Sequence, residues 1–124
     1  MFGNWVKICF LSFLISTPSS ANAELVWDNK LVEVAVKVGE KEARGTFSFV
    51  NTGLRSVIIQ DLRSCCTCLV GTTKEDEILP GKRGEIAFVF KLQGRVGKQQ
   101  RQLLVVHNDP VEPRTVLTIL VNIE

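Results

Sequence analysis

From residue 24 onward, apolar and polar positions alternate with a period of two, and no window keeps a helical period of apolar residues for three turns. Leu25-Val26-Trp27 reads as a short first strand with Trp27 as a core plug. In Leu31 to Val38, Val32, Val34, Val36 and Val38 share one face, Glu33 and Lys37 take the other, and Gly39-Glu40 turns the chain. Ala43 to Val50 brings Phe47 and Phe49 to a single face, and Asn51-Thr52-Gly53 closes it with residues that tolerate positive φ. Val57 to Leu62 forms the next strand, which the stretch Ser64-Cys65-Cys66-Thr67-Cys68 ends.

The second half repeats the pattern. Thr72 to Glu77 is polar and acidic, a loop or weak edge strand, and Pro80-Gly81-Lys82-Arg83-Gly84 is a turn. Glu85 to Lys91 alternates with Ile86, Phe88 and Phe90 on one face, followed by a polar hairpin from Gln93 through Gly94 and Gly97. Gln102 to His107 points Leu103 and Val105 one way, and Asn108-Asp109-Pro110 breaks the strand because proline donates no ladder hydrogen bond. Thr115 to Ile123 aligns Leu117, Ile119, Val121 and Ile123.

About seven or eight short strands punctuated by turns predict an all-β fold, an immunoglobulin-like antiparallel sandwich of two sheets, with a small barrel as the second choice. Phe47, Phe49, Ile86, Phe88, Leu117 and Ile119 are the expected core. The Cys, Trp, Cys spacing of antibody domains is missing, since all the cysteines from residue 24 onward fall within 65–68 and cannot staple two sheets.

Residues 1–23 change the picture of where the fold works. Lys7 precedes an apolar run from Ile8 to Ile15, and Ala21-Asn22-Ala23 supplies small residues for cleavage, so residues 1–23 read as a secretory signal peptide. The run is shorter than the ~20 residues a bilayer requires. Cys9 lies inside it behind Val6-Lys7-Ile8 and is not placed for lipidation, so no membrane anchor is expected after cleavage. Residues 24–124 then form one domain, exported to the periplasm or the extracellular space.

Charge and motifs exclude several chemistries. Without Lys7, 14 of the 15 basic residues remain against 13 acidic ones, dispersed without blocks, which argues against nucleic acid or an anionic membrane. Lys82, Arg83, Arg95, Lys98 and Arg101 sit in turns with no aromatic residues interleaved. Gly94-Arg95-Val96-Gly97-Lys98 lacks the spacing and the Ser or Thr of a phosphate loop, and Glu75-Asp76-Glu77 lacks the donors and glycine of a calcium loop. His107 is the single histidine, and in an immunoglobulin topology it falls at the opposite pole from the cysteines, so no nucleophile has a base in reach. No enzyme activity and no cofactor are expected.

The run Phe47-Ser48-Phe49-Val50-Asn51-Thr52-Gly53, the cysteine stretch, Pro80-Gly81 with Gly84, and the end from His107-Asn108-Asp109-Pro110 through Val116-Leu117-Thr118 together resemble the bacterial domain-of-unknown-function family 1573. The resemblance covers nearly the whole of residues 24–124 and implies an immunoglobulin-type or major-sperm-protein-like sandwich, with no established activity. That family usually reads Ser-Cys-Gly-Cys-Thr at the cysteine stretch. Counting from Asn51 or from Pro80 places its two cysteines on Cys66 and Cys68, while Cys65 stands where serine is usual, Thr67 where glycine is usual, and Leu69 where threonine is usual.

Cys65, Cys66 and Cys68 are the candidate chemistry, with three roles open: an inert or structural cluster, a redox or cross-linking site, and a zinc or copper site. Cys66 and Cys68 are the disulfide candidates. In an extended strand they would lie ~6.6 Å apart, against the ~4.5 Å that a disulfide tolerates between Cβ atoms, so a bridge needs a kink at Thr67. The leading functional expectation is an exported, non-enzymatic module that binds or spaces a protein partner of the bacterial envelope. The alternative is a thiol-redox or metal-binding protein acting through the cysteine cluster.

Overall fold

A computed structural model of the chain describes residues 22–64 and 66–124. The expected signal peptide, apart from Asn22 and Ala23, and Cys65 lie outside these residues. The described residues form nine strands: β1 (Leu25–Trp27), β2 (Leu31–Val36), β3 (Glu42–Asn51), β4 (Val57–Ser64), β5 (Leu69–Thr73), β6 (Glu77–Ile78), β7 (Arg83–Lys91), β8 (Gly97–His107) and β9 (Arg114–Ile123). They form two packed sheets, ordered β1-β3-β7-β5 and β2-β9-β8-β4-β6.

All pairings are antiparallel except β2 with β9, which runs parallel from Leu31 opposite Thr118 to Val36 opposite Ile123. The chain changes sheets twice at an edge. β1 lies on the four-stranded sheet and β2 on the other, and β5 and β6 divide in the same way. These divided edges raise the strand number above the seven or eight expected.

The core forms where the period of two turns apolar residues inward from both sheets. Phe47, Phe49, Ile86, Phe88, Phe90, Leu103, Val105, Leu117 and Ile119 are all at most 1% exposed. Phe47 and Phe88 meet with ring centroids 5.7 Å apart, and half-buried Trp27 tilts onto Phe49 at 4.8 Å. Val32, Val34 and Val36 pack on this core, whereas Val38 lies past the strand end and is exposed.

Two glycines mark close approaches between neighbouring segments. Gly84 faces Phe49 across the β3–β7 ladder, and a Cβ there would lie 2.4 Å from Cζ of that ring. A Cβ on Gly53 would lie 2.0 Å from the carbonyl oxygen of Asn22. That carbonyl accepts the Leu54 amide, the Glu24 carbonyl accepts the Thr52 amide, and Ala23 is buried between them. The expected processing point after Ala23 therefore falls within a packed segment.

Candidate functional site

The sandwich has two contrasting poles. At one, β3 ends, β4 and β7 begin and β8 ends. At the other, β4 crosses to β5 through the cysteine turn while β7 leads into β8.

The first pole is held by buried polar side chains. Asn51 is fully buried, and its amide nitrogen donates to the carbonyls of Arg55 at 2.8 Å and Ile78 at 3.0 Å. Its side-chain oxygen accepts the Gly53 amide at 2.9 Å. Its main chain donates to Lys82 and accepts from Gly81, so this residue ties the 51–55 turn to β6 and to the Pro80-Gly81 turn. Its φ is not positive, nor is that of Gly53. The expected left-handed turn is thus replaced by a hydrogen-bonding hub beside a close approach.

Asn108 acts similarly, accepting the Ile58 amide at 2.8 Å and donating to the Ser56 carbonyl at 3.0 Å. His107 is buried with Nε2 3.0 Å from Thr115 Oγ1, and its Nδ1 accepts the Asp109 amide at 3.4 Å. The accepting Nδ1 leaves the proton on Nε2, which donates to Thr115. Burial pushes the imidazole below the ordinary histidine pKa, against the opposing pull of Asp109 and Glu112. Ile59 pairs with His107 and Ser64 with Leu103, so the imidazole and the cysteine turn occupy different ends of β4.

At the second pole, the chain bends at Cys66 and turns through Thr67, and Cys66 is joined to Cys68 by a disulfide, with Cα atoms 5.2 Å apart. The shorter Cα separation supplies the bend that an extended strand would not allow. Ser64 supports the turn from below, its hydroxyl 2.8 Å from the carbonyl oxygens of both Cys66 and Leu69. The Lys91 amide donates to the Cys68 carbonyl at 2.7 Å and anchors the turn to β7.

The two sulfurs differ in setting. Cys68 is 1% exposed within the core, whereas Cys66 is half-buried and its Sγ lies 3.2 Å from the Cys68 backbone amide, which donates to it. One residue beyond Cys68, Leu69 pairs with Phe90, and the guanidinium groups of Arg101 and Arg95 lie 4.9 and 5.8 Å from that ring. Arg95 and Arg101, expected from sequence in turns without aromatic neighbours, thus gather at the cysteine pole through cation–π contacts with Phe90.

This disulfide closes a loop of only three residues, for which chain entropy gives about 1.6 kcal/mol, against about 3 kcal/mol for a 15-residue loop. It links no two strands and no two sheets. Among the metal candidates, Cys66 and Cys68 are bonded to each other and Cys65 lies outside the described residues. Among the described residues no group of three His, Cys, Asp or Glu is gathered as a metal set.

A further candidate lies on the outer face of the five-stranded sheet, which sequence reasoning did not single out. Because Leu103, Val105, Leu117 and Ile119 turn inward, Leu104, Val106, Val116 and Leu120 turn outward. Leu104 is directly opposite Val116, and Leu31 of β2 lies beside Thr118 between Val116 and Leu120. Val116 and Leu31 are 48% and 43% exposed. Polar residues rim the patch: Arg63 pairs with Asp61 on β4 and holds its carboxyl below the usual range through a side-chain hydrogen bond, and Glu33, Lys98 and Gln100 border the other end. There an open groove of about 680 Å³ continues from Leu120.

Set against known proteins, residues 25–123 match the family model described as Protein of unknown function (DUF1573). No curated protein matches the sequence. Among solved structures, the fold is similar to that of a protein of unknown function from Porphyromonas gingivalis W83, with a TM-score of 0.72 and 12% identity, covering 86% of this chain and 50% of that one. It is similar to PapD-like domain 7 of human CEP192, with a TM-score of 0.60, 15% identity and coverage of 88% and 89%. It is also similar to the periplasmic chaperone SfaE, with a TM-score of 0.57, 12% identity and coverage of 82% and 58%. The chain spans half the length of the Porphyromonas protein, and at these identities the likeness is one of fold. The architecture is an immunoglobulin-like, PapD-like sandwich, the family match extends from β1 to the last residue of β9, and the chain belongs to the DUF1573 family.

Proposed function

We propose that the chain is an exported, non-enzymatic binding module that engages a protein partner of the bacterial envelope, with no membrane anchor after signal cleavage and no nucleic-acid role. The observation that carries this reading is the apolar outer face built from Leu31, Leu104, Val116 and Leu120 with a charged rim. An apolar centre inside a polar border has the composition of a protein interface. The signal-like sequence of residues 1–23 and the shared architecture with periplasmic chaperones support an envelope location.

Binding is the role of this face, because its centre is apolar and open to solvent while its charges lie at the rim. The test is in-cell crosslinking of the exported protein, comparing the parent, a Leu104→Glu/Val116→Glu variant and a Cys66→Ser/Cys68→Ser variant. One envelope protein captured by the parent and the cysteine variant, and lost with the face variant while that variant remains folded, is the expected result. Capture that persists in the face variant, or that vanishes with the cysteines alone, overturns the reading.

A further inference from the structure

We propose that Cys66 and Cys68 form a thiol–disulfide exchange site, with Cys66 as the attacking thiol, Cys68 as the resolving thiol, and a protein disulfide as the substrate class. This goes beyond the partner-binding reading and does not depend on it, since the two sites share no residue.

The asymmetry of the pair motivates the assignment. Exchange needs one sulfur that an incoming disulfide can reach and a second that stays sheltered until the mixed disulfide forms. Cys66 is half-buried and Cys68 almost wholly enclosed. The Cys68 amide donates to the Cys66 sulfur, so negative charge on that sulfur meets a fixed donor without reorganisation. Arg101 and Arg95, held on Phe90 beside Leu69, add positive charge to the same pole. Such a setting favours a reactive thiolate. The turn is also held independently of the S–S bond, by Ser64 on the carbonyls of Cys66 and Leu69 and by Lys91 on Cys68, so opening the bond keeps these main-chain anchors while the two sulfurs separate to ordinary contact distance. A bridge that closes three residues and staples no strands leaves its conservation of the fold to others, which is consistent with a chemical use.

The step balances as follows. In the reduced protein the Cys66 thiolate, its proton already released to solvent, attacks one sulfur of the partner's disulfide. That S–S bond breaks, and the departing partner sulfur takes up a proton. The Cys68 thiol then gives up its proton and attacks Cys66 Sγ, breaking the mixed disulfide and releasing the second partner sulfur, which is protonated in turn. Two electrons pass from the Cys66 and Cys68 dithiol to the partner disulfide, leaving the Cys66–Cys68 bridge seen here and two partner thiols. A small or protein dithiol returns the bridge to the reduced state.

The experiment uses the exported protein with glutathione as the probe. The parent is equilibrated in mixtures of reduced and oxidised glutathione, quenched with an alkylating agent and mapped by mass spectrometry. Reversible opening of the Cys66–Cys68 bridge is expected, with any mixed disulfide on Cys66. In single Cys68→Ser and Cys66→Ser variants, each made with Cys65→Ser, alkylation of the remaining Cys66 at neutral pH is expected to be at least about tenfold faster than that of the remaining Cys68. Arg101→Gln should slow Cys66 alkylation without changing the unfolding midpoint appreciably. A bridge that stays closed throughout the glutathione series, glutathione found on Cys68 in place of Cys66, or equal alkylation rates in the two variants overturns the proposal. The parent measurement decides the matter even if a variant fails to fold.

Discussion

The two poles of the sandwich solve the same problem, how to join strands of different sheets, with opposite chemistry. The Asn51 pole uses neutral side chains, Asn51 sealed from solvent and Asn108 half-buried, with both polar ends of each engaged by main-chain groups. The cysteine pole uses a covalent bond across one residue, with Cys66 half-buried and two arginines stacked on nearby Phe90. Buried amides are costly to leave unpaired, so the first arrangement holds several turns in one relation. The second fixes only its own three residues. Stability is therefore expected to follow the Asn51 pole and the core beneath it, and reactivity the cysteine pole.

The largest effect belongs to the core that both poles share. Phe47→Ala should cost about 3 to 5 kcal/mol, most of the stability of a domain this small. An unchanged denaturant midpoint would mean that the inward faces are misassigned. Next comes Asn51→Ala, which strands the Gly53 amide and the Arg55 and Ile78 carbonyls. It should lower stability by about 3 kcal/mol in urea unfolding, at 1–3 kcal/mol for each buried group left unpaired. A loss below about 1.6 kcal/mol, the chain-entropy value for the three-residue disulfide loop, would remove the distinction between the poles.

His107 should make the first pole sensitive to acid. Its folded pKa is depressed, so the unfolded chain binds the proton more readily, and the neutral form stabilises the fold fully above the ordinary value of 6.5. That contribution is lost as pH falls below 6.5 and through the lower folded value. Denaturant midpoints measured from pH 8 down to pH 5 should decline, and a His107→Gln variant should flatten that part of the profile. A midpoint that rises over this range would reverse the assignment.

The smallest effect is expected on the outer face. Val116→Lys should change stability by no more than about 0.5 kcal/mol, because the side chain touches solvent. A large loss would mean that the face serves the fold and is not available to a partner.

Much of this architecture was legible from periodicity. Ile86, Phe88 and Phe90, or Leu117, Ile119, Val121 and Ile123, alternate with polar neighbours because one side of each strand meets the core, and the structure buries them accordingly. The same rule failed where a strand's inward positions are themselves polar. Lys98-Gln99-Gln100-Arg101-Gln102 carries no alternation, yet it extends β8 back to Gly97 because β9 pairs with it along its full length. β5 was hidden by the cysteine stretch, and β6 is two residues long, although Ile78 is buried. Asn51 and Gly53 look like turn residues in a sequence. Their actual roles depend on Ile78 and Asn22, which adjoin them only in space, as well as on nearby Arg55. The stretch Ser64 to Cys68 was recognisable as candidate chemistry, but the donor on the Cys66 sulfur and the arginines on Phe90 were not, since both arise from the crossover between sheets.

The division of labour between the poles is tested most directly by urea unfolding of the parent protein in its oxidised and reduced states, alongside oxidised Asn51→Ala. Reduction of Cys66–Cys68 should lower stability by no more than about 1.6 kcal/mol, the chain-entropy value for a three-residue loop, while Asn51→Ala loses about twice as much. A reduced protein that unfolds outright, or that loses more than the Asn51 variant, would make the disulfide the principal fastening of the fold and contradict the division.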